Sequence, residues 1–134
     1  MAGYSGTPLP RKLGIPLMGR VLIVGAPENF FYLIGRLPPA VELARRATRD
    51  LAYIHLFATQ RKRLASELGR LAPYLRKDGM LWVSWPKKSS GVASDVTEDV
   101  VREVALPMGL VDVKVCAVDE VWSGLKLVYR LKNR

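Results

Sequence analysis

Apolar residues follow two rhythms along this chain. Three runs show no polar alternation: 20–26 (RVLIVGA), 51–58 (LAYIHLFA) and 80–85 (MLWVSW). Unbroken apolar runs of strand length suit strands covered on both faces. Between them the period changes. Leu64, Leu68, Leu71 and Leu75 step by four, three and four, one apolar stripe of a helix that Thr59 is placed to cap. Val96, Val100, Val104 and Met108 form a second stripe, with Ser94 or Asp95 as its cap and Gly109 as its end. Residues 30–37 read as a further helix closed by Pro38-Pro39, and 9–13 as a helical turn ended by Gly14. Residues 41–46 fit either a short edge strand or a helical turn. Asp78-Gly79 reads as a turn before the third strand.

Two more strands follow, at 110–118 and 125–131, joined by a link that suits a hairpin. The last strand is expected to leave an edge near Leu131, guarded by Lys132 and Arg134. Strands alternating with helices predict an α/β fold: a Rossmann-like, mostly parallel sheet with helices on both faces and a C-terminal antiparallel hairpin. Residues 1–14 read as a tail with a short helical turn, and 15–134 as a single domain.

The totals narrow the class. A chain of 134 residues with 49% apolar and aromatic content can bury a core without covalent staples. Its one cysteine, Cys116, excludes an internal disulfide and suits a reducing cytoplasm. No run reaches the ~18 apolar residues of a spanning helix, and the first residues lack a signal-peptide core. The expectation is a cytoplasmic protein with no membrane partner. The net charge of +9 is uneven: residues 1–93 carry 15 Lys/Arg against 5 Asp/Glu, and 94–134 carry 6 against 7. Such asymmetry fits a polyanionic partner or a solvated basic surface.

The element order resembles a trimmed class I methyltransferase core. The matching segments are 20–26 (RVLIVGA), 75–83 (LRKDGMLWV) and 108–115 (MGLVDVKV). That resemblance implies a Gly-x-Gly-x-Gly turn after the first strand, where backbone approaches adenosylmethionine. Here the turn reads Gly25-Ala26-Pro27-Glu28-Asn29. Pro27 lacks an N–H and restricts Ala26. The ribose-binding acid implied after the second strand is replaced by Leu43-Ala44-Arg45-Arg46. The resemblance therefore implies an absent or remodelled cofactor site, and no cofactor is expected. The chain also resembles a family of short bacterial proteins of unknown function with a stretch like SWPKKSSG and an ending like VKVCAVDEVWSGLKLV. That second resemblance implies no activity.

Ligands of open α/β sheets bind beyond the strand C-termini. This rule gathers Trp85, Lys87, Lys88, Ser89, Ser90, Gly91, Asp119, Glu120 and Trp122 on one rim as candidate ligand-binding residues. Serines, backbone N–H groups and lysines suit an anion. The same lysines would equally pair with Asp95, Asp119 or Glu120. Arg45, Arg46, Arg61, Lys62 and Arg63 form a second candidate, a patch for nucleic acid, without the interleaved aromatics or motif that would specify it. His55 alternates with Tyr53 and Phe57 and reads as a satisfied core residue. One Cys and one His do not make an ordinary zinc site. No catalytic residue is assigned. The function read from the sequence is a non-catalytic module binding an anionic metabolite or a protein partner at the rim. A small transferase with a remodelled cofactor site and a nucleic-acid accessory protein are the alternatives.

Overall fold

The computed structural model describes residues 6–134. It contains six strands: β1 (Met18–Val24), β2 (Ala40–Leu43), β3 (Leu51–Phe57), β4 (Leu75–Pro86), β5 (Leu110–Ala117) and β6 (Trp122–Tyr129). Four helices join them: α1 (Leu9–Leu13), α2 (Glu28–Ile34), α3 (Arg61–Leu71) and α4 (Glu98–Ala105). The sheet order is β2-β1-β3-β4-β6-β5. The first four strands in this order run parallel. β6 is antiparallel to both β4 and β5. This is the Rossmann-like α/β sheet that the apolar runs predict, with the hairpin at its C-terminal side.

Each face of the sheet buries one apolar cluster. Leu64, Leu68 and Leu71 of α3 and Val101 and Ala105 of α4 cover Ile54, Leu56, Leu81, Val83, Trp85, Leu125 and Leu127. Leu13 of α1 and Phe30 and Ile34 of α2 cover Val21, Tyr53, Phe57 and Trp82 on the other face. Every residue of β3 is buried, which explains why its sequence shows no alternation.

Four local expectations change. Residues 41–46 resolve into the short edge strand β2, which pairs Met18–Val21 with Ala40–Leu43. The turn expected at Asp78-Gly79 is instead a bulge within β4. Leu51 pairs with Leu75 but Tyr53 with Met80, so residues 76–79 loop out. Gly79 is required there, because a Cβ would lie 2.8 Å from Leu75 Cδ1 and 3.0 Å from Ala52 O.

The hairpin folds back so that β6 inserts beside β4, and the free edge is β5, not the last strand. Gly124 explains the choice. It lies opposite Ser84 of β4, and a side chain there would meet the Trp82 ring at 3.1 Å. Only a glycine lets β6 approach this closely. Finally, α4 begins at Glu98, two residues after the start of its apolar stripe. Its cap is Thr97, whose hydroxyl accepts from Val100 N at 3.2 Å. Ser94 and Asp95 serve α3 and Thr59 instead, as described below.

Candidate functional site

β1 connects to β2 on one side, while β3 lies on its other side. The C-terminal ends of β1 and β3 therefore flank the topological switch point, where open α/β sheets leave a crevice. A cavity of about 350 Å³ lies there, lined by Gly25, Phe57, Ala58, Thr59, Gln60, Arg63 and Trp122. Gly25 turns the chain out of β1 at φ 73°, and a Cβ would stand 2.9 Å from Phe57 O. That backbone conformation and that approach both require glycine. Trp122 reaches across from β6 and meets Phe57 edge to face, with ring centroids 5.2 Å apart. Arg63 makes no ion pair among the described residues. An aromatic wall, two polar side chains and a guanidinium with no direct ion pair, whose charge is felt by Glu67 one turn along α3, thus share one small crevice.

The SWPKKSSG loop is organised by its own bonds. Trp85 points to the α3 and α4 face and is buried. Lys87 donates from Nζ to Asp119 O at 2.7 Å and from its backbone N to Val121 O at 2.7 Å. Ser90 Oγ donates to Lys87 O at 2.6 Å and accepts from Val92 N at 3.2 Å. Gly91 closes the turn at φ 77°. Asp119 Oδ1 accepts from the N–H groups of Val121 and Trp122 at 2.8 and 2.7 Å, and its Oδ2 accepts from Asn29 Nδ2 at 3.5 Å.

The structure therefore brings Lys87, Asp119 and Trp122 together in one braced turn. Lys88, Ser89 and Glu120 are exposed. Lys88 does line a second cavity of about 350 Å³ with Trp85, Thr97, Ser123 and the carboxylates of Glu98 and Asp99. One cation against two carboxylates makes that cavity a poor cradle for an anion.

The N-terminus of α3 faces the same rim and is already filled. Asp95 Oδ1 accepts from Arg61 N at 2.6 Å. Asp95 N donates to Thr59 O at 3.1 Å, and Ser94 Oγ to the same carbonyl at 2.8 Å. Residues 91–97 thus lie across the end of β3, which puts Asp95 where the helix dipole favours a negative charge. Asp95→Ala is expected to cost about 1 kcal/mol, with loss of amide protection confined to the first turn of α3. Equal protection of that turn in both proteins would remove this role.

Arg61 also bonds Glu103 of α4 at 2.8 Å, so it belongs to a helix–helix pair. Arg45, Arg46 and Lys62 are exposed and make no ion pair among the described residues. Gly25, Phe57 and Ala58 are not among the ligand-binding candidates of the sequence, although Gly25 opens the turn after the first strand. The glycine turn and the end of the second buried run were the available signals.

His55 is fully buried. Its Nδ1 bonds Tyr53 OH at 2.9 Å and its Nε2 bonds Ser84 Oγ at 2.7 Å. The ring stacks on Phe57 at 4.4 Å, with Phe30 edge-on at 5.0 Å. Burial pushes the imidazole down to about 3, so it is neutral at physiological pH. Burial, and then the nearby Cys116, push the Tyr53 phenol up. Ser84 is also fully buried, so this Ser–His contact cannot meet a substrate. Among the described residues no group of three or more His, Cys, Asp or Glu gathers to hold a metal, and no helix is long and apolar enough to cross a membrane.

The fold is that of class I methyltransferases. The chain superposes on a Sulfolobus solfataricus protein assigned as a type 11 methyltransferase with a TM-score of 0.60 and 13% identity, over 97% of this chain and 94% of that one. A ribosomal protein L11 methylase from Lactobacillus delbrueckii subsp. bulgaricus gives 0.56 and 11% identity, over 91% and 75%. Aeropyrum pernix fibrillarin, solved with natively bound S-adenosyl-L-methionine, gives 0.56 and 14%, over 90% and 73%. No protein-family model matches the chain, and no curated protein does.

Proposed function

We propose that this chain is a non-catalytic binding module on a degenerate methyltransferase-like fold, taking a planar anionic small molecule in the switch-point crevice. The proposal includes the short bacterial family sharing the SWPKKSSG stretch, and a cytoplasmic setting. One observation carries it. The crevice holds a cation without a direct ion pair and an aromatic face, Arg63 and Trp122, while the acid and base that could do chemistry on the rim are tied into a turn. Lys87 Nζ is held by Asp119 O, and the Asp119 carboxylate by two backbone N–H groups.

The first turn after β1 supports the same reading. Pro27 stands at the N-cap of α2 and offers no N–H to a ligand. Arg63 can bond a carboxylate or phosphate through its fork, and a planar group can lie against Trp122.

Thermal unfolding against nucleotides, acyl-coenzyme A, adenosylmethionine, adenosylhomocysteine and inorganic phosphate tests the proposal. A planar anion at about 100 times its dissociation constant is expected to add about 2.7 kcal/mol. Arg63→Ala and Trp122→Ala are each expected to weaken it at least tenfold. A panel without any stabilising ligand would sink the proposal.

The second reading, a small transferase with a remodelled cofactor site, is favoured by the near full-length match to methyltransferases. Micromolar binding of adenosylmethionine together with methyl transfer would establish it over the first.

A further inference from the structure

Another cavity lies at the opposite edge of the sheet, away from the rim. Its volume is about 380 Å³. It opens between the C-terminal ends of α1 and α2, just before β1 and β2 begin. Ile15, Leu17, Ile34 and Leu37 give it apolar walls, and Arg11 and Arg36 stand over it. Among the described residues neither guanidinium bonds a carboxylate or a backbone carbonyl. Arg11 stands in the last turn of α1, where a helix end favours a cation, but among the described residues neither charge is neutralised by an ion pair.

We infer that this cavity is a second binding site, for an amphipathic monocarboxylate: an apolar body carrying one carboxylate group. The walls remove the apolar body from water, which rewards each buried part of it. The carboxylate then lies between two planar forks whose geometry matches it. The volume falls within the range of small-ligand sites, towards its lower end, so the body is a short alkyl chain or a single aromatic ring with a short tail. Leu17 is 76% exposed, an apolar side chain left at the mouth of an apolar cavity. A bound apolar body would cover it. This site shares no lining residue with the switch-point crevice, and the inference does not depend on the function proposed for that crevice.

Calorimetry on the full chain decides it, with octanoate and 4-phenylbutanoate as probes and octanol and octylammonium as controls. Both acids are expected to saturate one site. Octanol is expected to bind at least tenfold more weakly, and octylammonium not at all. Arg11→Ala with Arg36→Ala is expected to weaken the acids at least tenfold. Both arginines are exposed, so the fold should survive their loss. Leu37→Trp fills the cavity and is expected to block binding, whereas Trp122→Ala in the other crevice should leave it unchanged. The inference is overturned if the acids fail to bind the unaltered protein, if octanol binds equally well, or if the double arginine variant binds as before. Loss of binding in Trp122→Ala alone would move the site to the rim and overturn it too.

Discussion

Trp82→Ala is expected to remove about 3–5 kcal/mol of folding stability, a large share of the 5–15 kcal/mol typical of a domain. Trp82 is fully buried in the middle of β4. Its ring lies against Gly124 of β6, and its Nε1 donates to Leu13 O at 2.8 Å. The residue thus joins three things: the parallel sheet, the inserted antiparallel strand and the short helix α1. Truncation opens a cavity that Gly124 cannot fill, and leaves the Leu13 carbonyl without its partner. Trp82→Phe keeps a six-membered ring but removes the donor and the rest of the indole, so the loss should be smaller, about 1–3 kcal/mol.

Denaturant midpoints of the two variants give the comparison. Equal losses would mean that the donor and the rest of the indole, not the six-membered ring that Phe keeps, carry the effect. A helix of five residues has no stability of its own, so α1 should lose amide protection in both variants. Unchanged protection in α1 would show that other contacts, such as Leu13 against the sheet, hold it.

The sheet was legible because its central strands are covered on both faces. Residues 51–58 and 80–85 are apolar without alternation, and only a strand between two helical layers has that need. The edges were harder. β2 buries little: three of its four residues are exposed, so its pattern carries no period. The position of β6 was not legible, because strand order is set by long-range packing. A single glycine against a tryptophan, Gly124 on Trp82, admits β6 next to β4, and neither residue announces the other in sequence. The α4 cap was missed for a different reason. The stretch 94–97 (SDVT) offers three capping side chains, and which one caps α4 depends on where the loop crosses the sheet.

The candidate site divides along similar lines. That the rim would hold Lys87, Asp119 and Trp122 followed from the fold rule alone. Which of them stay free did not. Lys87 and Asp119 look like binding groups in sequence because they are charged and near glycines and serines. In the structure those charges brace a turn, since the hairpin connection beside the end of β4 needs its N–H groups satisfied. The crevice residues Gly25 and Phe57 are ordinary in sequence. They matter because a positive φ at Gly25 brings the chain end of β1 within contact of Phe57 O.

His55 gives the fold a pH dependence of known sign. Its imidazole is neutral in the folded protein at about 3, against an ordinary value of 6.5, because burial disfavours the charged ring. Between these values the unfolded chain binds a proton that the folded chain does not. Folding stability is therefore full above pH 6.5 and falls as pH drops, at up to about 1.4 kcal/mol per unit. Down to pH 3 the loss is on the order of 5 kcal/mol.

The facing groups do not offset this. Tyr53 OH and Ser84 Oγ contact the ring nitrogens, Phe30, Phe57 and Trp82 surround its faces, and none of them carries a charge in that range. The carboxylates of Glu67, Asp78 and Asp112 are held below their usual values by arginine partners, so their contribution is lost only at lower pH. The window from pH 6.5 to about 4.5 therefore belongs to His55. Denaturant titrations across it should show the slope in the unaltered protein and its absence in His55→Gln, which keeps polar contacts to Tyr53 and Ser84 but does not titrate. Identical slopes in the two proteins would mean that the imidazole is not the proton-binding group.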